Sequence, residues 1–265
     1  MYAVNYHRAS SVQDAVGLAA GGDAKYVSGG MTLIPAMKTR LAAPSDLVDL
    51  SRIAELKGVS VSGRTVTIGA GTTHFDVSTN ADLKQVCPGF AYLASLIGDP
   101  AVRHCGTIGG SVANNDPAAD YPAALVALNA TIVTDQREIS AEDFFTGLFE
   151  TGLEDGEIVT AVRFTAPNKA GYEKFRNPAS RYAIVGVFVA KGADGVRVGV
   201  TGAGDNGVFR AAAIEAALAG NFDASAVTGI AIDPGNLMSD IHASADYRAA
   251  LVLVMAKRAV ARANG

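Results

Sequence analysis

The chain has 265 residues, enough for two domains with sizeable cores, and its composition is that of an ordinary soluble protein. Its 26 acidic and 22 basic residues are spread along the sequence and give a net charge of −4, without the basic block that is typical of nucleic-acid binding. The N-terminus lacks the apolar core of a signal peptide, and the longest apolar stretch, 249–256, is far shorter than the roughly 20 residues that span a bilayer. We therefore expect a cytoplasmic protein with no membrane span and no nucleic-acid partner.

Two cysteines, Cys87 and Cys105, and four scattered histidines argue against a metal site. An iron–sulfur cluster usually needs four thiolates, and a zinc site needs closely spaced Cys or His pairs. We expect no metal in this chain.

The first 50 residues alternate between helix and strand. An amphipathic helix is predicted over 10–20, capped by Ser10 or Ser11 and ended by two glycines. Short strands at 25–27 and 46–49 flank a predicted helix at 33–40, and Ser28-Gly29-Gly30 follows directly on the first strand. This order predicts a small βαβ-like unit with a glycine turn at the carboxyl end of a strand.

The middle of the chain mixes hairpins and helices, and a second glycine segment lies at 106–115. The expected elements are, in chain order, hairpin strands at 59–61 and 65–70, helices at 75–87 and 89–97, an alanine-rich helix at 118–128, and strands at 131–134 and 157–164. Asp116 followed by Pro117 is a typical N-cap and first residue of a helix, so it is the expected start of the alanine-rich helix. Residues 167–171 resemble a linker.

The last hundred residues read as a separate unit. Strands at 182–191 and 196–201 are predicted to form an antiparallel hairpin, followed by helices at 211–219 and 245–263. Together with the preceding elements, this pattern favours an α+β fold.

Two segments have the composition of phosphate-binding loops. A phosphate needs several converging N–H donors and no obstructing side chains, and glycine provides for both. The first segment, Ser28-Gly29-Gly30-Met31-Thr32, runs from a strand into a helix, and the second is Thr107-Ile108-Gly109-Gly110-Ser111. Either one alone could be a simple turn. Two copies with flanking hydroxyl groups suit a diphosphate held from two sides.

A GxGxxG motif at 202–207 offers a competing dinucleotide site, with Asp223 at a plausible distance for a ribose partner. The strands before it look antiparallel, and only a weak segment at 229–232 could be the next strand of a Rossmann unit. A tight turn is therefore the better interpretation.

No nucleophile paired with a base is recognisable, which fits a chain whose chemistry belongs to a cofactor. Asp120 lies where an acidic residue suits the first turn of a helix, and a hydrogen bond from it to a ligand ribose is equally consistent with the sequence.

The order of several segments resembles a known family. The segments are YVSGGMTLIPAMKTRL, IGAGTTH, LIGDPAVRHCGTIGGSVANNDPAADYPAAL, GEIVTAVRF and YEKFRNPASRYAIVGVFVA. They are similar to the FAD-binding medium subunits of the molybdenum hydroxylases, the family of xanthine dehydrogenase and aerobic carbon monoxide dehydrogenase. The resemblance covers essentially the whole chain, and GTIGG with NDPAAD is its most specific part.

The resemblance implies a set of FAD-binding residues. Those that match its motifs are Ser28, Gly29, Gly30, Met31, Thr32 and Leu33 in the first segment, Thr107, Ile108, Gly109, Gly110 and Ser111 in the second, and Ile97, Asp120, Val159 and Lys174 elsewhere. It places Asp120 at the ribityl or ribose part of FAD, Ile97 and Val159 near the flavin, and Lys174 close to the isoalloxazine ring. A positive charge there would favour reduced, anionic flavin.

The resemblance also implies an organisation and partners. Residues 1–166 would form a PCMH-type FAD-binding domain of two α/β subdomains, about 1–56 and 57–166, and residues 172–265 a C-terminal domain with a small antiparallel sheet and helices. A molybdenum-cofactor large subunit and a [2Fe-2S] small subunit would complete a dimer of heterotrimers. Electrons would leave the flavin for NAD, a quinone or another acceptor.

Three departures from the family pattern bear on the substrate. Met31, Ser111 and Arg181 stand where relatives often carry histidine, asparagine and aspartate, so the motifs do not assign the chain to the carbon monoxide dehydrogenases. The small number of cysteines argues against the 4-hydroxybenzoyl-CoA reductase type, whose flavin subunit holds an extra cluster. Two alternatives stay open: a stand-alone FAD-dependent oxidoreductase, and a non-enzymatic nucleotide-binding module on the same fold.

Overall fold

The structure, a computed structural model, describes all 265 residues. The N-terminal part is a three-stranded parallel sheet with two helices. Its elements are β1 (Asn5–Arg8), α1 (Val12–Ala19), β2 (Ala24–Val27), α2 (Leu33–Lys38) and β3 (Asp46–Asp49). β3 lies between β1 and β2 and runs parallel to both. The predicted βαβ unit is confirmed, with β1 as an additional strand.

The middle part is a five-stranded antiparallel sheet covered by short helices. Its elements are β4 (Val59–Ser62), β5 (Thr65–Gly69), α3 (His74–Thr79), α4 (Ala81–Val86), α5 (Pro88–Ser95), α6 (Pro100–Cys105), α7 (Ile108–Asn114), α8 (Tyr121–Ala127), β6 (Thr131–Thr134), β7 (Glu138–Ser140), α9 (Ala141–Phe144), β8 (Phe145–Gly147), β9 (Glu150–Thr151) and β10 (Val159–Thr165). The strand order is β4-β5-β10-β6-β7, and β8 and β9 form a separate hairpin. Buried apolar side chains such as Phe90 and Leu125 fill the space between helices and sheet.

The C-terminal part is a four-stranded antiparallel sheet packed against helices. Its elements are β11 (Lys169–Arg176), β12 (Ala183–Gly192), β13 (Gly195–Gly204), β14 (Gly207–Arg210), α10 (Ala212–Gly220) and α11 (Ala245–Asn264). The strands follow one another in chain order across the sheet. α11 packs on β11 and β12, whereas α8 of the middle part packs on β12 and β13. Tyr172 and Phe188 belong to the same buried cluster as the middle part, so the core continues through α8 into this sheet. No helix in the chain is both long enough and apolar enough to cross a membrane.

The α+β fold class is confirmed, but several predicted boundaries are wrong. The stretch 75–87 is two helices, because Asn80 interrupts it and caps α4 by accepting from the N–H of Leu83 at 2.8 Å. The predicted linker at 167–171 contains the start of β11, which pairs with β12 from Lys169 onward. Helix α6 and strands β11 and β14 were not expected, and the weak strand at 229–232 is absent.

The predicted helix start at Asp116 is also wrong. The Asp116 carboxylate accepts from the N–H of Ala118 at 2.8 Å, which closes a turn, and α8 begins only at Tyr121. The carbonyl groups of Pro117 and Ala119 accept hydrogen bonds from the Thr201 hydroxyl of β13 instead. Because these carbonyls bond to the neighbouring sheet, residues 117–119 do not join the helix.

The GxGxxG motif is a tight turn, as predicted. Gly202 and Gly204 lie within β13, Gly207 opens β14, and the two strands pair antiparallel. The left-handed backbone at Gly202 (φ +77°) and Gly207 (φ +96°) shapes a bulge and a hairpin connection. The motif therefore has no strand–turn–helix context for a dinucleotide.

Candidate functional site

The first glycine segment connects β2 to α2. Gly30 has φ +69°, and a Cβ atom on it would lie 2.9 Å from the Ile34 side chain. Only glycine adopts this left-handed backbone without strain. The turn leaves Met31 43% exposed and brings the chain into α2 at Leu33, whose side chain is half-buried.

The backbone N–H groups of this segment are unused. From Ser28 to Leu33, none of the six successive N–H groups donates a hydrogen bond to an acceptor within the chain. Successive free N–H groups around a left-handed glycine are the donors that anion-binding loops present to phosphate oxygens. The first segment therefore has the donor set that a diphosphate requires.

The second glycine segment has a different geometry. Residues 108–111 are the first turn of α7, and Thr107 is its N-cap, with its hydroxyl accepting from the N–H of Gly110 at 3.2 Å. The N–H groups of Ile108 and Gly109 donate to the carbonyls of Thr72 (3.0 Å) and Ala70 (2.8 Å). Sequence interpretation took this segment for a loop that precedes a helix, and that part is wrong. Within this segment, Gly110 is exposed to solvent and Ser111 is half-buried.

Gly109 is needed for packing. A Cβ atom at this position would lie 2.4 Å from the Cβ of Ala70 and 2.8 Å from the Ala70 carbonyl oxygen. α7 can therefore approach the end of β5 only because residue 109 has no side chain.

The two glycine segments contact each other. The Thr107 hydroxyl donates to the Ser28 hydroxyl at 3.0 Å, across 79 residues of sequence. Next to this bond, Gly29 lies against the Cys105 carbonyl, where a Cβ atom would be only 2.0 Å from the oxygen. The prediction that the two segments form one site is consistent with this contact.

A buried ion pair joins two further predicted residues, Asp120 and Lys174. The Lys174 ammonium donates to Asp120 Oδ2 at 3.0 Å, and the Tyr172 hydroxyl donates to Oδ1. The Lys174 side chain is 1% exposed and that of Asp120 5%. Burial raises the pKa of Asp120, while the Lys174 charge and the Tyr172 hydrogen bond oppose that rise. The structure therefore brings together two residues that lie 54 positions apart.

The two predicted apolar residues occupy different environments. Val159 is buried at the start of β10, and the carbonyl of the next residue, Thr160, accepts from the N–H of Ala70, which also contacts Gly109. Ile97 is half-buried at a turn after α5, and its carbonyl accepts from the Arg103 guanidinium at 3.0 Å. Val159 is thus next in sequence to a residue that bonds to Ala70, the partner of Gly109, and Ile97 is bonded to Arg103 of α6.

Sequence reasoning assigned no role to His74, although the residue ends the quoted IGAGTTH segment. The His74 ring lies against Gly106, and the backbone N–H of His74 donates to the Gly106 carbonyl at 2.9 Å. Nδ1 of the ring lies 3.2 Å from the Tyr121 hydroxyl. Burial lowers the pKa of His74 to about 4, and the nearby charge of Arg103 adds to the effect. A neutral His74 therefore supports the chain just before Thr107.

Residues 2–167 match a family described as the FAD binding domain in molybdopterin dehydrogenase. The chain is 34% identical over 272 residues to the carbon monoxide dehydrogenase medium chain of Hydrogenophaga pseudoflava, covering 96% of this chain and 95% of that one. The chain belongs to the FAD-binding medium subunits of the molybdenum hydroxylases. As a medium subunit, it binds FAD and is the flavoprotein component of an oxidoreductase complex.

Other relatives of this medium subunit belong to enzymes that are named for different substrates. The nicotine 6-hydroxylase medium subunit of Paenarthrobacter nicotinovorans is 33% identical, with 99% of this chain and 98% of that one aligned. Among solved structures, a reconstituted CO dehydrogenase from Oligotropha carboxidovorans has a TM-score of 0.89 at 34% identity, covering 99% of this chain and 98% of that one. Quinoline 2-oxidoreductase from Pseudomonas putida 86 has a TM-score of 0.86 at 28% identity, with coverage of 99% and 97%. The medium-subunit fold is therefore common to complexes with unlike substrates.

Proposed function

We propose that this medium subunit accepts electrons from the [2Fe-2S] clusters of a small subunit and passes them to NAD, a quinone or another acceptor. A molybdenum-cofactor large subunit would complete the complex, as a dimer of heterotrimers. The observation that carries the proposal is the row of free N–H groups from Ser28 to Leu33, linked to the second glycine segment by the Thr107–Ser28 hydrogen bond.

The two glycine segments divide the work of holding the diphosphate of FAD. The N–H groups of 28–33 would donate to the phosphate oxygens, and the hydroxyls of Ser28 and Thr32 would add further donors. Thr107 would fix the position of the first segment through its bond to Ser28. Ile108 and Gly109 would hold the second segment in place beside the cofactor through their bonds to Thr72 and Ala70. Gly110, which is exposed, and Ser111, which is half-buried, would contact the phosphates as well.

The remaining proposed residues lie along the rest of the cofactor. Asp120 is assigned to the ribityl or ribose part, Ile97 and Val159 to apolar contacts with the flavin, and Lys174 to the edge of the ring. FAD, when bound, supplies the electron-carrying chemistry. The chain's own contribution is to bind it, orient it and place the buried charges of Lys174 and Asp120 beside it.

We also propose a domain division for this chain. Residues 1–166 form the FAD-binding domain, with subdomains of about 1–56 and 57–166, and residues 172–265 form the C-terminal domain. The separate parallel and antiparallel sheets support the division. The hydrogen bonds from Thr201 to the Pro117 and Ala119 carbonyls would then hold the two domains together.

Electron transfer between purified components tests the proposal. The partner small subunit is first co-purified with the chain and identified by mass spectrometry. It is then reduced and mixed with the FAD-loaded chain in the absence of oxygen, and the visible absorption band of the flavin is followed. We expect the band to bleach, and to recover when the acceptor of the complex is added. A flavin that stays oxidised beside the reduced small subunit would contradict the proposal. Turnover of a small organic substrate by the isolated chain would favour a stand-alone enzyme instead.

A further inference from the structure

The hairpin of β8 and β9 carries two exposed apolar side chains at its tip. Leu148 is 39% exposed and Phe149 is 60% exposed. Phe149 also has a left-handed backbone, with φ +58°. An aromatic residue adopts this conformation only at a cost in free energy, because its Cβ atom approaches the backbone too closely. The chain therefore holds a large apolar ring in solvent at a position where its backbone is strained.

Asn115 holds the hairpin tip in this conformation. Its Nδ2 donates to the carbonyls of Gly147 at 2.9 Å and Glu150 at 2.7 Å, and its backbone carbonyl accepts from the N–H of Phe149 at 3.1 Å. Asn115 is buried and itself has a left-handed backbone (φ +42°) at the end of α7. Because three hydrogen bonds to one buried residue fix the tip, Phe149 is exposed by a defined structure and not by a loose loop.

The tip lies beside the turn that connects β13 and β14. A Cβ atom on Gly207 would lie 4.0 Å from Cδ2 of Leu148. Asp205 and Asn206, which immediately precede Gly207, are exposed. The turn of the GxGxxG motif and the hairpin tip therefore form one continuous surface.

The unpaired charges on this surface are negative. Glu150 follows Phe149 in the hairpin, Asp205 lies in the adjacent turn, and both are exposed. Neither carboxylate has a cationic group of the chain within 4.0 Å. An exposed apolar ring beside two unpaired carboxylates is complementary to an apolar pocket with basic side chains at its rim.

We propose that Leu148 and Phe149 anchor this medium subunit to a partner subunit whose surface has an apolar pocket with Lys or Arg at its rim. This inference rests on the proposed function, in which the chain works in a complex with a large and a small subunit. An aromatic side chain that fills a pocket is typical of the few residues that supply most of the binding energy of an interface. Since Asn115 fixes the tip before association, little conformational entropy is lost on binding, which gives a physical reason for the strained backbone.

The test is the affinity of the FAD-loaded chain for the purified subcomplex of the large and small subunits, measured by calorimetric titration. Phe149→Gly removes the ring and relieves the backbone, so it separates a binding role from a structural one. We expect this variant to bind the subcomplex about 30-fold more weakly, while its thermal unfolding midpoint rises by about 2 °C. The matched control is Arg40→Gly, because Arg40 is also exposed and left-handed (φ +63°) but follows α2. It should unfold at a higher temperature and keep the wild-type affinity.

Charge reversal tests the chemistry of the partner's rim. Glu150→Lys keeps Phe149 and places a positive charge against the basic rim. We expect binding to weaken about tenfold at low ionic strength, and the difference from the wild type to shrink as NaCl is added. Asp194→Lys is the control, because Asp194 is exposed at the opposite end of β13 from Asp205. It should bind as the wild type does.

The outcomes separate this inference from the proposed function. If the wild-type chain binds the subcomplex and Phe149→Gly binds equally well, the inference is overturned and the proposed function stands. The same holds for an equal loss of affinity in Arg40→Gly, for a lower unfolding midpoint in Phe149→Gly, and for equal or tighter binding of Glu150→Lys. A wild-type chain that does not bind the subcomplex would overturn the proposed function and this inference together.

Discussion

The two glycine segments have similar sequences and different structures. In Ser28–Thr32 the glycines form an open turn whose N–H groups have no acceptor in the chain. In Thr107–Ser111 they lie in the first turn of a helix, and the N–H groups of Ile108 and Gly109 already donate to backbone carbonyls. The N–H groups of the first segment are free for the diphosphate that we propose it binds, whereas the second segment is bonded to the first through Thr107 and Ser28.

The difference shows that a pair of glycines can satisfy two separate physical needs. At Gly30 the left-handed backbone requires glycine, and the turn that results exposes donors. At Gly109 the close approach of α7 to Ala70 requires it, and this contact consumes a donor. In the sequence, both positions belong to the same Gly-Gly pattern, which does not distinguish the two needs.

The largest expected effect comes from Gly29→Ala. The new Cβ would lie 2.0 Å from the Cys105 carbonyl oxygen, so the first segment must move and its N–H groups lose their arrangement. We expect FAD affinity, measured by fluorescence titration, to fall by about 100-fold, roughly 3 kcal/mol. Gly21→Ala is the control, since a Cβ there meets nothing within 4 Å. Unchanged affinity in Gly29→Ala would break the contrast between the segments.

Gly109→Ala is expected to act on folding. Its Cβ would lie 2.4 Å from that of Ala70, so α7 must shift away from β5 at a cost of about 2–3 kcal/mol in the free energy of unfolding by urea. In Gly110→Ala the nearest atom is the Thr107 hydroxyl at 3.1 Å, and we expect a change within about 1 kcal/mol. Equal losses in the two variants would contradict the assigned role of Gly109.

Thr107→Val tests the link between the segments. It removes the helix cap and the bond to Ser28 with little change of shape. We expect a loss of about 1 kcal/mol in stability and about a tenfold loss in FAD affinity. Thr73→Val is the control, because Thr73 caps α3 in the same way and makes no contact with Ser28. It should lose stability and keep its FAD affinity, and a matching loss of affinity would count against the link.

The smallest expected effect is a pH dependence through His74. Its folded pKa, lowered by burial to about 4, lies below the unfolded value near 6.5, so the unfolded chain binds a proton first as the pH falls. The contribution of His74 to stability is complete above pH 6.5. It should decline by about 1 kcal/mol per pH unit between 6.5 and 4.

Urea unfolding at pH 7 and pH 5.5 measures the effect. His74→Asn should lose about 1 kcal/mol less than the wild type over this interval. The control is His104→Asn, which replaces an exposed histidine, and this variant should have the same pH dependence of stability as the wild type. The same pH dependence in all three proteins would show that His74 does not stay neutral behind Gly106.

Local features of this chain were predictable from sequence. The βαβ unit, the first glycine turn and the tight turn at 202–207 depend on residues close in sequence, whose backbone preferences act directly. The later start of α8, at Tyr121 instead of Asp116, was not predictable. Thr201, 84 residues after Pro117, donates to the Pro117 carbonyl that an earlier helix would have used.

For the candidate site, the sequence predicted which residues take part and not how they contact one another. Motif order pointed to the two glycine segments and to Asp120 and Lys174. It could not show that Asp120 pairs with Lys174, or that Thr107 bonds to Ser28, since both contacts depend on how distant elements pack. The environment of His74 likewise arises only when α3 and α6 come together.

The most direct test of the division between the two segments is the amide response of the folded chain to FAD. In ¹⁵N-labelled protein, chemical shifts and hydrogen exchange are measured for each N–H group before and after the cofactor is added. We predict large shifts and new protection for residues 28–33, and little change for Ile108 and Gly109, whose N–H groups are already bonded. New protection at 108 and 109, with none at 28–33, would contradict the assignment of the first segment as the donor of hydrogen bonds to the diphosphate.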